Sequence, residues 1–291
     1  MPDNQEKKSA FLSILHTWPE YFDTLDEGLG TTYERFILQR YFKEIKEQYA
    51  VESLIEVPSF GMTGVSGINS LWWSKNGVTP VVVDTDSQRI QMAEKVWQKL
   101  NFEVQFQLVE QYRRLPFKDQ TFDMGWNFAS LWFVADLGDF FMEMNRLVKK
   151  TLFICVPNQM GLGYKLRGLL KRQDISGFFP QNCDPDNFLP LLSRLGWRLM
   201  KKGYLDIPPW PDIAMKKEDL FRKMGLGFLL KNKEQTANNV QRTCIIDYFN
   251  GERPELEKKI LKYDFLEKAP FPIKQIWGHH RFFIFEKRGW A

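Results

Sequence analysis

Residues 53–86 read SLIEVPSFGMTGVSGINSLWWSKNGVTPVVVDTD. A short apolar run, Leu54, Ile55 and Val57, surrounds Glu56 and leads to glycines at every third position, Gly61, Gly64 and Gly67. A helical segment with Leu71, Trp72 and Trp73 follows, and a second apolar run, Val81 to Val83, delivers Asp84. Strand, glycine turn, helix, strand and acid is the order of a nucleotide-binding half of a parallel sheet. Glycines let the backbone approach a ligand without interference from Cβ, and an acid ending the second strand accepts hydrogen bonds from ribose hydroxyls. The stretch alone leaves the nucleoside open.

The flanking sequence extends the alternation. Upstream, Thr31 and Glu34 have the spacing of a capping box, and Tyr33, Ile37, Tyr41 and Ile45 recur every fourth residue. This predicts an amphipathic helix to about Gln48, laid against the sheet, after an arm interrupted by Pro19 and Gly28 to Gly30. Downstream, Ile90, Ala93, Trp97 and Leu100 form one helical stripe with Ser87 as its N-cap. Phe102 to Val109 alternates like a strand, Phe122 to Asn127 reads as the next, Phe140 to Val148 as a helix, and Thr151 to Val156 as an apolar strand ended by Pro157. The expected fold is α/β, a doubly wound, mostly parallel sheet.

Beyond Pro157 the rhythm loosens. Residues 161–172, GLGYKLRGLLKR, are basic and amphipathic, suited to a surface helix or to a lid or interfacial contact. Pro185 to Leu195 predicts a helix, Trp197 to Tyr204 a strand, and His280 to Phe285 a last strand. The segment between Pro208 and His279 is too long for a simple connection and reads as an inserted C-terminal cap. The expected division is an N-terminal helical arm or lid over 1–50, a nucleoside-binding core over 51–206, the cap over 207–278, and the final strand and tail over 279–291.

Composition narrows the classes. Among 291 residues, 40 basic and 36 acidic side chains leave a net charge of +4, which neither requires nor excludes nucleic acid. Aromatic residues make up 15%, enough for part of them to line a pocket. Cys155, Cys183 and Cys244 fit no metal spacing and suit a reducing compartment. The first residues lack the apolar core of a signal peptide, and no apolar run reaches membrane-spanning length. The expectation is a soluble, cytoplasmic protein for which peripheral membrane contact stays open.

Leu115-Pro116-Phe117 opens the sequence LPFKDQTFD, which ends in Phe122-Asp123; a strand to Asn127 follows, and Val156-Pro157-Asn158 closes the series. Taken with the glycine turn and Asp84, this order resembles the class I S-adenosylmethionine-dependent methyltransferases, and within them the group acting on small molecules, quinones and lipids. The resemblance runs from about Tyr33 to Asn158. It implies a seven-stranded Rossmann-like sheet with an antiparallel last strand. It also implies S-adenosyl-L-methionine as cofactor, S-adenosyl-L-homocysteine as product, no metal, and a small apolar or aromatic acceptor.

By the same resemblance Glu56 fixes the glycine loop near the methionine part, Gly61, Thr63 and Gly64 lie beneath the methionyl and ribose groups, and Asp84 binds the ribose hydroxyls with Thr85 beside it. Gln111 and Tyr112 fall at the adenine, Asn127 and Phe128 near the donated methyl, and Tyr33 closes over the site. Two positions depart from the family: Pro58 stands where a glycine is usual, delaying the first glycine to Gly61, and Gln111 replaces a carboxylate. Methyl transfer rests largely on positioning and exclusion of water, so a base is not obligatory. If one acts, the candidates are His279, His280, Asp206, Tyr204 and Asp212, the histidines because they titrate near neutrality. Trp132, Tyr164 and Trp210 would wall the acceptor pocket.

Three alternatives stay open. A nicotinamide-dependent oxidoreductase would use the same turn, although the GxGxxG pattern is missing. A non-catalytic relative is suggested by Pro58 and Gln111. An RNA or protein acceptor is suggested by the basic stretches Lys165 to Arg172 and Lys216 to Lys233. Oligomeric state is not legible.

Overall fold

In the computed structural model the seven strands are β1 Leu54–Glu56, β2 Pro80–Asp84, β3 Gln105–Leu108, β4 Phe122–Phe128, β5 Val148–Pro157, β6 Trp197–Leu205 and β7 His280–Lys287. They form one sheet in the order β3-β2-β1-β4-β5-β7-β6. β7 is antiparallel to both β5 and β6, and the other pairings are parallel, so six strands run one way and β7 the other. The structure describes Ile14 and residues 21–61, 63–162, 164–165, 177–208 and 243–290. Trp210, Asp212, the basic run 216–233 and residues 166–172 lie outside them.

Side chains alternate across each strand, which divides the core in two. On one face Leu54, Met124, Trp126, Phe153, Phe282 and Ile284 pack beneath helix α2 (Gly28–Tyr49), α3 (Leu71–Lys75) and α4 (Ser87–Leu100), preceded by the short α1 (Tyr21–Thr24). On the other, Ile55, Val81, Val83, Leu152, Ile154, Phe283 and Phe285 pack against α5 (Leu137–Leu147) and α6 (Pro185–Arg194). Phe122 joins the second face although Met124 and Trp126 face the first, because the β4 register slips between Phe122 and Met124. Aromatic edges fill the first core: Phe42 meets Trp126 at 4.8 Å and Trp73 at 5.3 Å.

Helix α2 starts three residues before the expected Thr31, at Gly28, and Glu34 takes no part in a cap. Gly28 to Gly30, read as an interruption, form its first turn. The N-cap of α4 is Asp86, whose carboxylate accepts from Gln88 N and Arg89 N; Ser87 is already helical. A short carboxylate reaches both amides, which explains why it wins the position. After Pro208, the described residues hold α7 (Ile245–Phe249), α8 (Leu256–Ile260) and α9 (Phe271–Trp277). Cys244, Ile245, Phe249, Leu256 and Ile260 of this stretch share the first core with α2.

Candidate cofactor and acceptor site

Glu56 and Asp84 end the adjacent parallel strands β1 and β2, with Glu56 paired to Val82, two residues before Asp84. Both are buried, Asp84 completely. The loop between them returns two serines. Ser59 Oγ lies 3.0 Å from Glu56 Oε1 and 2.8 Å from Ser66 Oγ, and Ser66 Oγ donates to Asp84 Oδ2 at 2.7 Å. Ser70 Oγ donates to Glu56 Oε2 at 2.6 Å, and Gly67 N donates to Ser59 Oγ at 2.8 Å. Three contacts thus link Glu56, Ser59, Ser66 and Asp84, with Ser59 donating to Glu56 and Ser66 to Asp84. Burial pushes the Glu56 carboxyl up to about 7, against the pull of the Ser70 and Ser59 hydroxyls.

Asp84 is also held by Arg89, one turn into α4. Arg89 Nε lies 3.1 and 3.0 Å from the two carboxylate oxygens and Nη2 lies 2.5 Å from Oδ1. Burial would weaken the guanidinium charge, but the hydrogen bonds and charge of Asp84 outweigh it and keep Arg89 protonated. Its guanidinium carbon stands 4.2 Å over the Phe60 ring, and Phe60 stacks on Phe133 with centroids 3.5 Å apart. The cavity left between Phe60, Gly61, Val65, Ser66, Arg89 and Ile14 is about 10 Å³.

The loop packs on itself and on α2. Gly61 has φ +68°, and a Cβ there would come within 2.6 Å of Gly64 O. Arg35 donates to Thr63 O at 2.9 Å and to Asn69 Oδ1 at 2.6 Å while its Nε holds Glu27 at 2.8 Å. A Cβ on Gly64 would meet that guanidinium at 2.6 Å. Thr85 and Gln111 are exposed, and Tyr112 is buried. Asn127 is buried with Oδ1 unpartnered among the described residues, and Phe128 is half-buried. Trp132 lies in the second core against Phe178, and Tyr164 packs at its margin.

The sequence LPFKDQTFD has a structural task. Leu115 N donates to Glu143 Oε1 at 2.7 Å, while Arg146 donates to Phe117 O at 2.8 Å and Leu115 O at 3.2 Å. Asp123 accepts from Glu52 N and Ser53 N and pairs with Lys149 and Lys150. Burial alone would raise its carboxyl, but the Glu52 amide and the two lysines hold it below the ordinary range.

A second polar cluster gathers at the same edge of the sheet. His279 Nδ1 lies 2.6 Å from Asp206 Oδ2, and His280 Nδ1 lies 3.2 Å from Glu34 Oε2, within ion-pair range but without hydrogen-bond geometry. Tyr33 donates to Glu267 Oε1 at 3.0 Å, which also accepts from Ile207 N. Burial raises the Glu267 carboxyl to about 7, and Asp206 is raised by burial against the opposing charge of His279. Both histidine side chains are largely buried, where adjacent residues of a strand would be expected to split between core and solvent. The Phe128 ring stands 4.6 Å from His280. Tyr204 turns instead to Phe271 and Arg281 and does not join the cluster.

Solved structures with low sequence identity are similar in fold. A SAM-dependent methyltransferase from Aquifex aeolicus shares 16% identity over 65% of this chain and 93% of its own, with a TM-score of 0.47. The YcgJ protein from Bacillus subtilis shares 14% over 86% and 97%, with a TM-score of 0.49. A geranyl diphosphate C-methyltransferase from Streptomyces coelicolor, solved with Mg2+, geranyl diphosphate and S-adenosyl-L-homocysteine, shares 10% over 86% and 81%, with a TM-score of 0.47. No curated protein matches the sequence. Residues 61–155 match the family model of a methyltransferase domain. That match runs from the glycine loop into β5, and over it the chain is similar to a methyltransferase domain.

A domain of that family implies S-adenosylmethionine. The acids are of the right kind at the right strand ends, but the space is not: Arg89 and Ser66 take up Asp84, and Phe60 with Ile14 fills the cradle. An adenosyl group does not fit this arrangement unless Arg89 and the Phe60–Phe133 stack move. Sequence reasoning missed Arg89, Arg35, Glu34 and the two serines. The spacing of Asp84 and Arg89, five residues apart across a helix start, was a usable signal for the first; nothing local marks Arg35 or Glu34, whose partners are distant in sequence. No helix among the described residues is long and apolar enough to cross a membrane, and no cluster of three or more metal-ligating side chains occurs among them.

Proposed function

We propose that the protein is an S-adenosylmethionine-dependent methyltransferase for a small acceptor, whose cofactor cradle is held closed by Arg89 in this conformation. One observation carries the reading: Glu56 and Asp84 end adjacent strands within the methyltransferase-domain architecture and are wired into one hydrogen-bonded unit beneath the glycine turn. Opening requires Arg89 to release Asp84 and Phe60 to leave Phe133, after which the carboxylate is free to accept ribose hydroxyls. Phe128, half-buried beside His280, supplies aromatic surface on the acceptor side, in keeping with an apolar or aromatic substrate.

A non-catalytic relative is the second reading, favoured by the capture of Asp84. Calorimetric titration of the full chain with S-adenosyl-L-homocysteine separates the two. The enzyme reading expects saturable heat, weakened about tenfold or more in Asp84→Asn by loss of a charged acceptor. No heat from the wild-type protein would favour the non-catalytic reading.

A further inference from the structure

The cluster around His279 and His280 has more acceptors than its own donors fill. Glu34 Oε1, Asp206 Oδ1 and His280 Nδ1 are buried without a hydrogen-bond partner among the described residues. The side chains of Glu34 and Asp206 are 6% and 3% exposed. Unpartnered buried polar atoms are costly, and three in one cluster call for an occupant that donates.

The charges point the same way. Glu34, Asp206 and Glu267 lie within one another's fields together with the two imidazoles. The cations nearby are already committed or peripheral: Arg40 pairs with Asp264, and Lys274 acts on Glu267 from α9. Aromatic rings stand beside the cluster, with Phe128 against His280 at 4.6 Å and Phe282, two residues further along β7, against Tyr41 at 4.4 Å. Buried carboxylates beside aromatic rings suit a cationic nitrogen.

Placement ties this cluster to the proposed cofactor cradle. Glu34 and Arg35 are successive residues of α2, the first directed to His280 and the second to the glycine loop at Thr63. Phe128 ends β4, Asp206 follows β6, and His280 begins β7, all at the sheet edge where β1 and β2 end in Glu56 and Asp84.

We propose that the cluster of Glu34, Asp206, His279 and His280 binds the amine group of the substrate, so that the acceptor is an amine carried on an apolar or aromatic body. The inference rests on the methyltransferase reading only for the word acceptor; the cluster and its preference for a cationic nitrogen stand without bound cofactor.

The test uses three probes of like shape, benzylamine, benzyl alcohol and benzoate, titrated into the cofactor-free full chain while the histidine ring resonances are followed by NMR. Benzylamine should give saturable shifts at His279 and His280, the alcohol should bind at least about tenfold more weakly, and benzoate should not bind. Glu34→Gln should weaken benzylamine by about tenfold and leave the alcohol unchanged, with Asp206→Asn as a second variant should the first fail to fold. Equal binding of the three probes, no binding of benzylamine, or an unaltered amine affinity in a folded variant would overturn the proposal. None of these outcomes depends on cofactor affinity, which the homocysteine titration reads separately.

Discussion

Glu56 is the residue on which the proton count turns. Its ordinary value is 4.5 and the folded protein raises it to about 7, because the carboxyl is buried. The folded state therefore holds a proton that the unfolded chain gives up near pH 4.5. This contribution is complete below that pH, declines as pH rises, and is lost by about pH 7; its size is about 3 kcal/mol. Glutamine can donate to Ser59 and accept from Ser70 without titrating. Glu56→Gln should fold, gain stability relative to wild type at pH 8, and flatten the change in stability between pH 5 and 8, as read by urea denaturation. A variant with the wild-type pH slope would show that Glu56 is not the group responsible.

Elements carry what residues alone do not. The loop at Leu115 to Phe117 keeps its shape through Arg146 and Glu143 on α5, and both side chains are largely buried. Arg146→Ala would strand the carbonyls of Leu115 and Phe117 and leave Glu143 without its cation, at a cost of about 2–4 kcal/mol. Hydrogen exchange should speed up at the Leu115 and Phe117 amides in particular. Unchanged exchange there would mean the loop is held by other contacts. The LPFKDQTFD motif is thus legible as a fold signal, since its Asp123 holds the backbone amides of Glu52 and Ser53 that lead into β1. Helix α2 was legible as an amphipathic stripe but not in its starting point, because Glu27 and not Thr31 precedes it, and its polar tasks at Glu34 and Arg35 depend on partners 246 and 28 positions away.

At the scale of the molecule, the succession of strands and helices follows from patterns that a sequence displays well: apolar strands, their spacing, and turns after each. The reversed last strand was legible only through the resemblance, since strand direction has no local signature. Glu56 and Asp84 end β1 and β2, where the two apolar runs of the sequence place them. What occupies those acids was not legible. Arg89 reaches Asp84 because α4 begins immediately after β2, and Ile14 reaches Gly61 through a backbone hydrogen bond of 3.0 Å that no periodicity announces. The proposed nucleoside cradle therefore rests on one ion pair, Asp84 held by the protein's own Arg89. Calorimetric titration of Arg89→Ala and wild-type protein with S-adenosyl-L-homocysteine, both checked for native circular dichroism, tests this directly. The variant is predicted to bind about tenfold or more tightly than wild type, because Asp84 and the space beside it become available; equal or weaker binding by a folded Arg89→Ala protein would contradict it.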